Sequence, residues 1–400
     1  MKSGFRIGSI LGIPLLIDTS WFLILWLVTF YYGSVWQQES WGETWGWVAG
    51  FAMALMLFGS VLLHELGHSL VARSQGIKVN SITLFLFGGI ASIDQESKTP
   101  GQAFQVAIAG PGVSFSLFLI LILIDATLPL SPPVQEVVQN LAYINYVLAL
   151  FNMIPGLPLD GGQVLKSIVW KMTGSRMKGV RWAARAGQML GWTAIILGVM
   201  GYFTTFQFSS LWLALLGWFG VRNASAYNQV TDLQEALKEL NAAAAMTREF
   251  RVVDAEMSLE EFTHSYLERE MAQADVYYAS SDGRYRGLVA VEDLNAIERS
   301  LWEKQSLHSI IHPLSDIPSV KETTPLAEVI NQMEAQEVRR ITVLSPAGAV
   351  AGVIDRGDIV KALAEKLKIP IPDALIKQIK EEGAYPAGLQ IPALAKAATD

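Results

Sequence analysis

Residues 64–68 read His-Glu-Leu-Gly-His and lie inside the apolar run SVLLHELGHSLVAR, residues 60–73. Residues four apart share one face of a helix, so His64 and His68 can direct both imidazoles at one metal ion. Glu65 is turned about 100° from His64 and can reach a water on that metal as a general base. Neutral imidazole suits zinc, and a catalytic zinc takes three protein ligands and keeps one position open. A zinc ion so held lowers the pKa of its water towards neutrality, which makes hydroxide available beside a peptide carbonyl. Ionisable groups at membrane depth are costly and mark function. A chance match is uncommon in a chain with only five His.

The third ligand must be an oxygen or another imidazole, because the chain has no Cys; disulfides and thiolate sites are excluded with it. Asp125 falls at the far end of its apolar run, away from the two histidines, and Asp18 reads as the N-cap of a helix beginning at TSWF. Asp94 and Glu96 sit on the correct side in a loop that reads as solvated. Asp160, in NMIPGLPLDGGQVL, follows a run that ends on the same side. Pro155 and Pro158 stop the helix there, and Gly161 and Gly162 permit close backbone approach. On spacing alone a turn with a helix-capping Asp is the alternative for this stretch.

Positioning these groups requires membrane helices. Of the 400 residues, 51% are hydrophobic and 17% charged, too apolar for a soluble chain of this size. Six runs near the 17–25 residues of a membrane helix lie at about 19–34, 47–71, 104–124, 137–154, 188–204 and 208–224. Lys and Arg alternate between their ends. Lys2 and Arg6 precede the first, Arg73, Lys78 and Lys98 follow the second, Lys166 to Arg185 follow the fourth, and Arg222 closes the last. The intervening loops carry none, so both termini are expected in the cytosol. The first run lacks a small-residue cleavage site and continues into a full span, so no cleavable signal is expected. Between the second and third runs, IKVNSITLFLFGGIAS at 77–92 is too short to cross and too β-branched for a helix. It reads as a strand and turn embedded beside the helices, either simply covered by protein or offering an edge at Phe87, Gly88, Gly89 and Ile90 to an extended peptide.

The second half is charged and repeats itself at a spacing of about 65 residues. VVDAEMSLEEF with VYYASSDGRYRGLVAVEDLNAI is echoed by PSVKETTPLAEVI with ITVLSPAGAVAGVIDRGDIVKAL. Each copy reads as strand, helix, two strands around a Gly turn, and helix, and the two copies should pack together. The Pro- and Ala-rich tail from 366 reads as partly disordered. No basic, aromatic-spaced stretch suggests nucleic acid. The expected fold is a polytopic α-helical membrane domain of about six spans with a short β segment, at 1–225. A linker at 226–239, two α/β repeats at 240–303 and 304–365, and a tail at 366–400 follow.

HELGH in a membrane span, followed by N-x-x-P-x-x-x-L-D-G-G, resembles the site-2 protease family of intramembrane zinc metalloproteases. The likeness extends over 1–225 and includes GIPLLIDTSWFLI, FGGIAS and AIAGPGVSFSL. It implies one zinc held by His64, His68 and Asp160, Glu65 as catalytic base, and Asn152 holding the substrate or polarising its carbonyl. An ordinary interhelical hydrogen bond is the plainer role for Asn152. The resemblance also implies substrates that are membrane proteins trimmed first by another protease, and a place in the cell (inner) membrane. The repeats at 240–365 resemble a CBS pair, with GVIDRGDIVKAL the clearest piece, as in the CBS-fused branch of that family. CBS pairs commonly hold adenine nucleotides, with an acidic residue on the ribose, here Asp293 and Asp358. Ala290 and Asp355 stand where a hydroxyl would face phosphate, and an aspartate repels phosphate; a structural unit or homodimer contact is the alternative. Rival readings are a zinc-holding inactive protein or transporter with a CBS sensor, or a nucleotide sensor on a membrane anchor. Neither needs Glu65 as a base.

Overall fold

A computed structural model describes residues 4–38, 41–86, 88–267, 276–386 and 388–399, apart from the side chain of Glu43. It divides into two compact units, 1–229 and 230–400.

The first unit opens with strands β1 (Phe5–Ile10) and β2 (Ile13–Ile17), joined at Leu11 and Gly12, both with positive φ. Glycine takes that conformation without strain, which allows the tight turn. Helices α1 (Ser20–Trp36) and α2 (Gly42–Ser74) follow, then β3 (Val79–Phe85) and β4 (Gly88–Ile93). The four strands form one sheet in the order β1-β2-β3-β4, with β2 and β3 parallel and the outer pairs antiparallel. The strand expected at 77–92 is present, and it sits in a larger sheet than expected. β2 runs almost directly into the apolar helix α1, so its alternation is hidden in one long hydrophobic stretch. Alternate residues Ile13, Leu15, Ile17, Ile82 and Leu84 form a core with Phe58 and Leu66 of α2. The sheet therefore packs on the helix that carries His64 and His68.

Helices α3 (Pro100–Thr127), α4 (Pro132–Asn152), α5 (Asp160–Thr173), α6 (Arg176–Thr205) and α7 (Ser209–Glu239) complete the bundle. Six of the seven helices fall where spans are expected; α5 is additional. Three stretches, Thr44–Ser74, Pro100–Thr127 and Arg176–Thr205, are long and apolar enough to cross a membrane, and Ser20–Trp36 is a shorter apolar helix. The expectation of about six spans is thus met in helices but not in apolarity. In α4 the apolar run is interrupted by inward polar groups: Glu136 accepts from the Trp36 indole, and buried Asn145 donates to Ser60. Large apolar side chains such as Trp192, Ile196 and Phe203 of α6 point outward, the inverse of a soluble helix. Helix α7 continues to Glu239, so the stretch read as a linker is helical.

The second unit comprises short helices α8 (Ala242–Ala245) and α9 (Leu259–Phe262), strands β5 (Phe250–Asp254), β6 (Val276–Ser281), β7 (Arg284–Val289), β8 (Ile311–Pro313) and β9 (Ser319–Lys321), helix α10 (Leu326–Ala335), strands β10 (Arg340–Leu344) and β11 (Val350–Asp355), and helices α11 (Arg356–Leu367), α12 (Asp373–Glu382) and α13 (Ile391–Thr399). Two sheets result, β5-β6-β7-β8 and β11-β10-β9. The repeats are interlaced. β8, which follows the sequence boundary at 303/304, pairs with β7 of the first copy. Thr247, before that boundary, bridges to Val353 of the second copy, and the Ala242 N–H donates to Thr324 O.

The tail is not disordered where it is described. Ile379, Ile391 and Ala395 are buried in the same core as α10 and α11. Lys380 of α12 reaches the buried Asp358 (2.7 Å) and Glu249 (2.8 Å), with Asp355 at 3.6 Å. Burial works against the Lys380 charge, but these carboxylates outweigh it and raise its pKa above the usual lysine range. Replacing Lys380 by Ala leaves the Asp358 carboxylate buried without its cation, with an expected cost of about 1–3 kcal/mol. Calorimetric unfolding of the full chain should show the soluble transition at lower temperature, and an unchanged transition would remove this contact from the account.

Candidate active site

His64 and His68 sit one turn apart on α2, both buried. Asp160 is the first residue of α5, where the helix N-terminus favours a carboxylate. Its Oδ2 lies 3.1 Å from His64 Nε2 and 3.3 Å from His68 Nε2, and the two Nε2 atoms are 3.3 Å apart. Tetrahedral ligands at the zinc–nitrogen and zinc–oxygen distance of ~2.0–2.1 Å stand about 3.3–3.4 Å from one another. The triangle has that size. Among the described residues this is the one group of three or more His, Asp or Glu close enough to share a metal ion.

The outer contacts agree with such a site. His68 Nδ1 lies 2.6 Å from Val106 O of α3. A carbonyl only accepts, so Nδ1 carries the proton and the Nε2 lone pair faces the triangle. Ser114 Oγ, also on α3, stands 2.9 Å from His64 Nδ1 and can accept its proton in the same way. Gly110 lies between these two contacts on α3. A Cβ there would strike His68 Nε2 and come within 2.7 Å of His64 Nε2. The missing side chain leaves the space in which an ion and its open position would fit. Gly161 and Gly162 let the loop 153–157 fold against the start of α5, since a Cβ on either would strike backbone of Met153, Ile154, Gly156 or Leu157.

Glu65, His68 and Asp160 line a cavity of about 460 Å³ with Gly89, Ile90 and Ala91 of β4. β4 is an edge strand, bonded to β3 on one side. Glu65 lies against this strand: a Cβ on Gly89 would lie 2.5 Å from Glu65 Cγ, and the Ala91 N–H reaches the Glu65 carboxylate. Glu96, Lys166 and Tyr227 line the same cavity. Lys166 is 7% exposed and bonds Glu96 at 3.1 Å, and Arg176 bonds the same oxygen at 2.9 Å. Glu96 keeps 53% of its side chain exposed; partial desolvation opposes its ionisation, but Lys166 and Arg176 outweigh that and hold the carboxyl below the usual carboxylate range.

Residues 52–139 and 126–197 match the profile of Peptidase family M50, and residues 309–365 match that of the CBS domain. A Synechocystis protein named as a zinc metalloprotease is 41% identical over 366 residues, covering 91% of this chain and 96% of its own. The chain belongs to peptidase family M50, the site-2 proteases. The M. tuberculosis protein Rip3, also named as a zinc metalloprotease, is 31% identical over 91% of this chain and 93% of its own. A solved site-2 protease from Methanocaldococcus jannaschii, 28% identical, covers 56% of this chain and 95% of its own with a TM-score of 0.42.

Other residues singled out in this M50 metalloprotease lie apart from the triangle. Asn152 ends α4, and its amide donates to Leu148 O of its own helix rather than to a neighbour. Asp18 accepts from the amide and hydroxyl of Ser20 at the start of α1, and Asp125 accepts from Gln139. Phe87 lies outside the described residues. In the CBS unit, Asp293 stands 2.8 Å from His312 Nε2. Asp358 is 3% exposed and forms a capping box with Asp355 at the start of α11. Both acidic side chains of that turn are thus engaged within the protein. Gly110, Ser114 and Val106 are not legible in the sequence because VAIAGPGVSFSL carries no ionisable side chain; a Gly and a Ser four apart in a membrane helix are the available signal. Replacing Gly110 by Ala should lower metal affinity at least roughly tenfold, read as metal per chain against a competing chelator. Undiminished metal would show that the space before the two imidazoles is not needed.

Proposed function

We propose that this metalloprotease hydrolyses peptide bonds within or beside the membrane segments of other proteins, with zinc held by His64, His68 and Asp160. The observation that carries the reading is the tetrahedral-sized triangle, which shares one cavity with Glu65 and an open strand edge. When bound there, zinc supplies Lewis acidity and a water of lowered pKa. Glu65 accepts the proton of the attacking water and returns it to the departing amine, as a general base and then acid. Val106 and Ser114 hold the imidazoles in the tautomer that leaves both Nε2 atoms free.

A helical substrate hides its carbonyls in its own hydrogen bonds and must become extended before attack. Such a segment can add along the free edge of β4, where Gly88, Gly89 and Ile90 would lie beside it. The bare Cα of Gly89 lets Glu65 lie directly against that strand. Rotation of Asn152 away from Leu148 O would free its amide for a substrate carbonyl. The same reading places the protein in the cell membrane with both termini cytosolic, acting on substrates trimmed beforehand by another protease. The CBS unit would then regulate it through a homodimer contact or an adenine nucleotide.

Glu65→Gln keeps the triangle intact. It should retain about one zinc per chain while cleavage of single-span membrane peptides in detergent falls roughly 10²–10⁴-fold. Retained cleavage would sink the role of Glu65, and a wild type with no zinc would sink the site. Ile90→Pro, which disturbs the pairing of β4 with Thr83, should lower cleavage far more than zinc content. Equal loss of both would argue against β4 as the substrate edge.

A further inference from the structure

Two elements diverge from the ligand triangle. Helix α5 starts at Asp160 and reaches Lys166 six residues later, about 9 Å along its axis. Strand β4 passes Glu65 at Gly89 and ends at Ile93, roughly 13 Å further on. Glu96 stands three residues beyond that end, and its carboxylate bonds Lys166 of α5 and Arg176 at the start of α6. The Asp94 N–H donates to Lys78 O and Ser97 bonds Gln75, so these tie the same loop towards α2. Glu96 is the tie in the other direction, across the cavity mouth.

The cation end of the tie is itself fixed. A Cβ on Gly179 of α6 would lie 2.5 Å from Lys166 O and 3.3 Å from its Cγ, so α6 clasps the lysine stem. A lysine buried to this degree needs a paired carboxylate, and Glu96 provides it. Two cations on one carboxylate resist its loss to water more than a single surface pair would.

We propose that Glu96, gripped by Lys166 and Arg176, is a positioning residue that sets the distance between the edge of β4 and the helix bearing Asp160, and thereby the width of the slot that receives the extended substrate. This rests on the hydrolytic reading above. Glu96 touches neither the triangle nor the expected scissile bond, so its loss should weaken substrate binding while leaving the metal and the chemistry in place.

The absence of Cys from the chain allows a direct test. Ser92→Cys on β4 and Lys171→Cys on α5, both exposed, can carry a pair of spin labels in the full-length protein, whose separation is read by pulsed electron resonance. The expected result is one narrow distance distribution in the otherwise wild-type protein and in Lys166→Arg, and a broadened or displaced one in Glu96→Gln and Lys166→Met. With a single-span peptide that the wild type cleaves, Glu96→Gln should raise KM roughly tenfold at near-unchanged kcat and unchanged zinc. A Glu96→Gln distribution that superimposes on the wild type overturns the proposal, as does a loss of zinc in step with activity. Should the wild type cleave no peptide, the hydrolytic reading fails, while the distance distributions still decide the positioning role.

Discussion

Three acceptor atoms brought within 3.3 Å of one another inside an apolar bundle repel unless a cation lies among them. That constraint organises the first unit. Val106 and Ser114 turn the rings, Gly110 empties the space before them, and Gly161 with Gly162 lets the end of α4 fold close enough to bring in Asp160. The sheet packed on Phe58 and Leu66 steadies the helix that supplies both imidazoles. Each of these residues is apolar or uncharged, and each acts by leaving or filling a specific volume beside the charged groups.

The same unit shows how a water-consuming reaction can be housed among lipid-facing side chains. The cavity is lined by Glu65, Asp160, Glu96 and Lys166 together with residues of β4 and apolar side chains of α2 and α3. Backbone at membrane depth must find partners. β4 finds β3 along one edge, and the Glu65 carboxylate takes the N–H of Ala91.

Part of the chemistry is legible in the sequence because ionisable residues are rare in membrane helices: His64, Glu65 and His68 stand out by spacing, whereas Asp160, in a stretch that also reads as a capped turn, is singled out by the resemblance to site-2 proteases. Small and apolar residues were not legible, since Gly110 differs from any other helical glycine only in what faces it. Glu96 is solvent-exposed as its loop position suggests, but its pairing is not legible, because the cations that hold it lie 70 and 80 positions away. The helices were placed by hydropathy, but β1 and β2 merged with the apolar stretch after them. In the second half the internal repeat disclosed two copies and not their exchange of segments. The tail was misjudged because a Pro- and Ala-rich composition gives no sign of the buried face formed by Ile379, Ile391 and Ala395.

That exchange of segments bears on how the chain is made. Residues 242–247 find partners only when 322–353 have been synthesised, and β7 waits for β8. The first copy therefore cannot complete its four-stranded sheet until the start of the second has left the ribosome, whereas the sheet β11-β10-β9 lies wholly within the second copy. Until then the outer edge of β7 stays unpaired, a delay that a chain with two self-contained repeats would avoid.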